Sequence, residues 1–247
     1  MHRFFIPPKW IENKKVTLVE EVAHQLKNVL RMRPGRKIIV LDNSGYEYFV
    51  TLEHVARNVV IGEIYDQRPA EGEPGLRLSL YQSVLKVPKM EWILQKGTEL
   101  GLAEFAPVMC ERSILGDIET VDQKSLRWER IIQEAAEQSG RGLLPPLRPA
   151  MMFPQACQRA HRAGGLNLIA WEAEVESDLR SVLATVEELP VQVNLFIGPE
   201  GGYTLDEVRL ASGYNIIPVG LGKRILRSET AALVATAAIF YEFSQLK

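Results

Sequence analysis

Short runs rich in β-branched and aromatic residues punctuate the first part of the chain: Arg3–Ile6, Lys15–Val19, Lys37–Leu41, Tyr46–Leu52 and Val59–Tyr65. Bounded by Pro34-Gly35 and Asn43-Ser44-Gly45, they predict strands joined by tight turns. One segment differs. Over Glu20–Met32, Val22, Leu26, Val29 and Leu30 follow i, i+4, i+7, i+8 spacing, which predicts a helix with one apolar face. His24, Lys27, Arg31 and Arg33 fall on or near its polar side. Strands around one helix predict a small β-barrel over residues 1–70.

The stretch Gln67-Arg68-Pro69-Ala70-Glu71-Gly72-Glu73-Pro74-Gly75 has no apolar periodicity, and its prolines and glycines predict a domain boundary. Beyond it strands and helices alternate. Leu76–Leu85, Phe105–Cys110, Leu166–Trp171, Val193–Ile197 and Ile216–Val219 read as strands, and Lys89–Leu100, Lys124–Ser139, Leu179–Leu189, Leu205–Ser212 and Glu229–Leu246 as helices. Such alternation predicts an α/β domain over residues 71–247, with a mainly parallel sheet covered by helices. The last helix carries apolar residues on nearly every face, so it is expected to be buried, with a second subunit as one way to bury it.

Composition narrows the function classes. The 247 residues are 46% hydrophobic and 24% charged, ordinary values for a globular chain. No apolar run approaches the ~20 residues that span a bilayer, and the amino terminus lacks a signal peptide's apolar stretch, so a cytoplasmic location is expected. Cys110 and Cys157 have neither Cys-x-x-Cys spacing nor a nearby histidine, which points away from disulfide frameworks and zinc sites; no metal is expected. The net charge of −2 argues against a protein that coats nucleic acid indiscriminately. Residues 1–70 nonetheless hold 11 Lys and Arg against 8 Asp and Glu, a local excess of +3.

Two loops stand out as candidate chemistry. In Leu195-Phe196-Ile197-Gly198-Pro199-Glu200-Gly201-Gly202-Tyr203-Thr204 a strand runs through a glycine-rich turn into a helix, whose start is marked by the capping-box spacing of Thr204 and Glu207. In Val219-Gly220-Leu221-Gly222-Lys223-Arg224-Ile225-Leu226-Arg227-Ser228-Glu229 the same arrangement carries three basic residues. Ser228 is the expected N-cap and Glu229 suits the first turn. Loops at the carboxyl ends of parallel strands are where open α/β sheets bind ligands, and glycine lets a ligand approach the backbone. Ordinary turn geometry accounts for the same glycines. Neither Gly-x-Gly-x-x-Gly nor Gly-x-x-x-x-Gly-Lys-Ser/Thr occurs there, which removes the usual dinucleotide and nucleotide readings. Two further segments are Lys96-Gly97-Thr98-Glu99-Leu100-Gly101, where Gly101 reads as a helix C-cap, and a helix placing Glu134, Gln138 and Arg141 at i, i+4, i+7, which a solvated surface explains equally well.

Taken together, these segments resemble the RsmE family of bacterial 16S rRNA uridine-N3 methyltransferases, in the SPOUT superfamily. The matching stretches are His2-Arg3-Phe4-Phe5, His24 through Val29-Leu30-Arg31, Gln95 to Gly101, Glu134 to Arg141, Ile197 to Gly202 and Leu221 to Ala231. The resemblance implies a PUA-like RNA-binding β-barrel at residues 1–70 and a SPOUT methyltransferase domain at 71–247 ending in a trefoil knot, a threading that general topology rules disfavour. It implies S-adenosylmethionine as cofactor, held by Ile197, Gly198, Pro199, Glu200, Gly201, Gly202, Leu221, Gly222, Ile225, Leu226 and Arg227. It implies 16S rRNA in the small ribosomal subunit as partner, contacted by Arg3, His24, Lys27, Arg31, Arg33, Arg112 and Arg141, and a homodimer. Methylating uridine N3 requires removing its proton and stabilising negative charge; Arg227 is the candidate stabiliser, and Glu200 or Glu229 the proton acceptor, although Glu229 serves equally as a cap. A SPOUT enzyme acting on a ribose hydroxyl or another base, a catalytically silent assembly factor, and a phosphate-dependent nucleotide enzyme are the competing readings.

Overall fold

The computed structural model describes residues 1–113 and 118–246. The chain divides into two units, Met1–Glu73 with Ala136–Leu144, and Pro74–Ala135 with Pro145–Lys247.

In the first unit, β1 (Arg3–Phe5), β2 (Ile11–Glu12), β3 (Lys15–Val19), β4 (Lys37–Leu41), β5 (Tyr46–Val55) and β6 (Val59–Pro69) form one sheet in the order β1-β4-β5-β6-β3-β2. Only β1 and β4 run parallel. Val16 and Leu18 alternate inward from β3 and pack with Phe4, Ile38, Val40, Val50 and Val60.

The helix is shorter than its spacing predicts. α1 (Glu20–His24) passes into a π-helical turn at Gln25–Val29, where the Leu30 N–H reaches back five residues to the Gln25 carbonyl, and Arg31 follows at φ +51°. That wider turn changes which side chains share a face. Ala23 and Leu26 are buried, whereas Val29, expected on the apolar side, is 64% exposed. The boundary stretch is also partly ordered, because Gln67, Arg68 and Pro69 continue β6 opposite Tyr48, Glu47 and Tyr46.

In the second unit, β7 (Arg77–Ser83), α2 (Val87–Leu100), β8 (Glu104–Met109), α3 (Ile118–Asp122), α4 (Ser125–Ser139), β9 (Met151–Met152), α5 (Phe153–Ala163), β10 (Leu166–Ala170), α6 (Leu179–Ala184), β11 (Gln192–Ile197), α7 (Leu205–Ser212), β12 (Ile217–Val219) and α8 (Ser228–Glu242) follow in order, the end of α4 belonging to the first unit. The strands are parallel throughout, arranged β12-β10-β11-β7-β8-β9. Alternation assigns their two faces. Leu78, Leu80, Leu168, Val193, Leu195 and Ile197 pack with residues of α2, α6 and α8, while Tyr81, Ile169 and Phe196 pack with residues of α5 and α7. The Tyr81 and Phe196 rings stack at 4.4 Å.

Gly101 ends α2 at φ +103°, as its C-cap reading requires. α5 escapes the pattern because its buried positions, Ala156, Cys157 and Ala160, are small and Pro154 stands in its first turn. α6 and α8 stop earlier than their apolar residues suggest. On α8, Val234 and Tyr241 are 46% and 76% exposed. Among the described residues no helix is long and apolar enough to cross a membrane.

Candidate functional site

Strand register sets the site. Ala170 pairs with both Ile197 and Val219, so β10, β11 and β12 end flush and their following loops start side by side. This is the crevice that open parallel sheets offer to ligands. The loops are tied to one another. Gly220 donates its N–H to the Ser177 carbonyl (2.8 Å) and accepts from the Leu179 N–H (3.0 Å). The Ser228 hydroxyl donates to the Gly198 carbonyl and accepts from Gln82 Nε2 at 3.1 Å. Ser228 is therefore not the N-cap: Arg227 holds that position with extended backbone, and the hydroxyl binds the neighbouring loop instead.

Between the loops lies a cavity of about 520 Å³. Ile197, Gly198, Pro199, Glu200, Gly201, Gly202, Leu221, Gly222, Ile225, Leu226 and Arg227 all line it, so the structure gathers both glycine-rich loops at one place. The loop after β10 adds Trp171, Glu172 and Glu174 to the wall. Gly202 adopts φ +68°, a conformation that favours glycine, and the exposed Glu172 carboxylate packs against it, 2.2 Å from where a Cβ would stand. Among the described residues no hydrogen-bond partner takes the N–H groups of Leu221 to Arg227. Ile225, although apolar, is 86% exposed. The strap thus presents free backbone donors and an uncovered aliphatic group to the cavity.

Lys89, in the first turn of α2, also lines the cavity, and sequence reasoning missed it. Its Nζ lies 3.3 Å from Glu200 Oε1 and 3.4 Å from Glu229 Oε2. Glu229 is outside the lining, and its Oε2 is enclosed without a hydrogen-bond partner. Of the two carboxylates read as proton acceptors, Glu200 faces the cavity and Glu229 stands behind Lys89. The signal available in the sequence was electrostatic: a lysine with no acidic neighbour at the positive end of a helix opposes the helix dipole.

Behind this wall, Tyr203 is buried against Gly198, whose added Cβ would meet its ring at 3.1 Å. Burial pushes the Tyr203 phenol and the Cys110 and Cys157 thiols up, Cys157 to about 12. These groups are packing elements, inert as acids or nucleophiles near neutrality.

The candidate RNA contacts separate into three kinds. His24, Lys27, Arg31 and Arg33 are exposed along one short segment of the first unit. Arg3 is bound to Glu47. Arg112, in the second unit, is exposed and donates to the Gly201 carbonyl at 2.8 Å. Arg141 departs from expectation. The turn at Gly140, φ +81°, takes it off the α4 face predicted from its spacing; it is 3% exposed and doubly bound to Glu73, at 2.7 and 3.2 Å. A guanidinium engaged in this way anchors its own unit and is not open to phosphate.

Comparisons with known proteins agree with this geometry. The RNA methyltransferase domain family matches residues 72–240, and the RNA methyltransferase PUA domain matches residues 20–65. The ribosomal RNA small subunit methyltransferase E of Bacillus subtilis is 34% identical across all of this chain and 99% of the relative. Its counterpart from Synechocystis is 34% identical over 96% of this chain and 77% of the relative. The crystal structure of a ribosomal RNA small subunit methyltransferase E from Neisseria gonorrhoeae bound to S-adenosyl methionine superposes with TM-score 0.87 at 30% identity, covering 98% of this chain and 97% of that one.

Proposed function

The chain belongs to the RNA methyltransferase family that includes ribosomal RNA small subunit methyltransferase E, and on that premise we propose that it methylates N3 of a uridine in 16S rRNA, with S-adenosylmethionine as methyl donor. The observation that carries this reading is the cavity where three strand-end loops meet. Its size suits a ligand of that class, and it offers backbone donors and an exposed aliphatic side chain in place of a phosphate cradle. Glu172 and Lys223 of its wall carry charges opposite to those of an amino-acid moiety. Residues Ile197 to Gly202 and Leu221 to Arg227 would hold the cofactor, which supplies a sulfonium methyl group for transfer.

The chain's own contribution is orientation, proton removal and charge stabilisation. The Glu200 carboxylate takes the N3 proton. Arg227, exposed at the N-cap of α8, faces the negative charge that develops on the uracil ring, assisted by the positive end of that fifteen-residue helix. His24, Lys27, Arg31 and Arg33 contact RNA phosphates from the first unit and Arg112 from the second. A base stacked or paired in rRNA has to be exposed before its N3 edge is reachable; binding the flanking RNA positions it. The same reading includes the trefoil knot, and a homodimer supported by the exposed Val234 and Tyr241 of α8.

The test is incubation of the purified protein with radiolabelled S-adenosylmethionine and small ribosomal subunits from a strain lacking the enzyme, followed by nucleoside chromatography. Label in 3-methyluridine is expected. Label in a ribose-methylated or other nucleoside refutes the N3 assignment.

A further inference from the structure

Lys89 occupies a position that local energetics disfavour. Its place in the first turn of α2, with no acidic residue there, sets a cation against the positive helix end. Such local conflicts concentrate at functional sites. What offsets it is tertiary: two carboxylates from separate segments converge on one ammonium, Glu200 from the loop after β11 and Glu229 from α8, at 3.3 and 3.4 Å. The exposures are graded, with 29% for the Lys89 side chain, 22% for Glu200 and 16% for Glu229. Glu229 is the most covered and Glu200 is in the cavity wall.

We propose that Lys89 is a positioning residue for the proton transfer: held on its other side by Glu229, its ammonium fixes the Glu200 carboxylate in the cavity wall, ready to accept the proton of the target base. This inference rests on the methyltransferase reading and deepens it. The two carboxylates and the ammonium carry a formal net charge of −1, and of the two carboxylates it is Glu200 that lines the cavity. The other charged groups of the cavity wall are Glu172 and Glu174 after β10, Lys223 and Arg224 after β12, and Arg227 at α8. Among the described residues, Lys89 is the cation of the cavity wall that pairs with acidic side chains, while Lys223, Arg224 and Arg227 form no such ion pair.

The test uses the full chain with small subunits and saturating S-adenosylmethionine, measuring single-turnover methyl transfer near neutral pH alongside cofactor affinity by calorimetry and the thermal midpoint. Lys89→Met is expected to slow transfer by about 100-fold near neutrality, the lower end of what a positioned base contributes, with cofactor Kd changed by less than about threefold. Lys89→Arg restores most of the rate by keeping the charge. A Lys89→Met rate within about threefold of the parent, a loss tracking Kd, or no rescue by Lys89→Arg overturns the proposal. Should Lys89→Met fail to fold, Glu229→Gln decides the question; about a tenfold slowing supports the tether and none refutes it. If the parent labels a nucleoside other than 3-methyluridine, the uridine-N3 reading fails while Lys89 is judged on the nucleoside that is labelled. If the parent labels nothing, both fall.

Discussion

Gly220→Ala tests whether the bridge between the loops after β10 and β12 shapes the cavity. Gly220 is buried, and a Cβ there would stand 2.7 Å from the Glu174 carbonyl oxygen. Ordinary contact starts at 3.4 Å, so backbone has to move by about 0.7 Å. Flexible side chains offer no relief because the obstacle is main chain. Overpacking of this kind costs about 1–3 kcal/mol, and the same movement strains the hydrogen bonds to Ser177 and from Leu179. For a chain of this size each kcal/mol lowers Tm by roughly 2–4 °C, so the expected loss is about 2–12 °C. S-adenosylmethionine affinity is expected to weaken about tenfold, equivalent to about 1.4 kcal/mol. Gly35→Ala, away from the cavity wall, is the internal control: Gly35 has φ +84° and nothing within 4 Å of an added Cβ, so it meets backbone strain of about 1–2 kcal/mol without a clash. Differential scanning fluorimetry and calorimetry on both variants decide. A Gly220→Ala protein with parental Tm and cofactor affinity would refute the argument that this contact sets the cavity wall.

Three other outcomes follow from particular contacts. Burial pushes both thiols far above neutrality, Cys157 to about 12, so Cys110 and Cys157 should resist alkylation in the native protein at pH 8 and react after denaturation; rapid native labelling would contradict their burial. Burial disfavours the charged form of Glu104, but hydrogen bonds from Arg159 and Arg148, at 2.6 and 2.7 Å, outweigh it and hold the carboxyl below its usual 4.5. A depressed native pKa stabilises the fold above the unfolded value and is lost as pH falls through the native one, so Glu104→Gln should be destabilised at pH 7 by about 1–3 kcal/mol and lose part of the parent's decline below pH 4.5; equal urea midpoints at pH 7 would exclude this. Replacing Arg31 and Arg33 together by Ala should weaken RNA binding uniformly across sequences and reduce the slope of log K against log salt by about 1 per lost phosphate contact, with an unchanged slope arguing against phosphate contacts.

Local chemistry was legible wherever neighbours in sequence are also neighbours in space. Lys15–Val19 and Lys37–Leu41 are strands with the bounds their runs predict. The Thr204–Glu207 capping box forms reciprocally, and Gly101 terminates α2, because turns and caps depend on a few adjacent dihedrals. Both glycine-rich loops were found for the same reason. Sequence alone could not set the register that ends β10, β11 and β12 together, since strand pairing joins segments far apart in the chain. Nor could it show that Ser228 binds Gly198 instead of capping α8, that Arg141 turns away from a helix face to meet Glu73, or that Lys89 stands between Glu200 and Glu229. Each of these depends on tertiary packing, which brings together charges and dipoles that periodicity, a property of single segments, cannot relate.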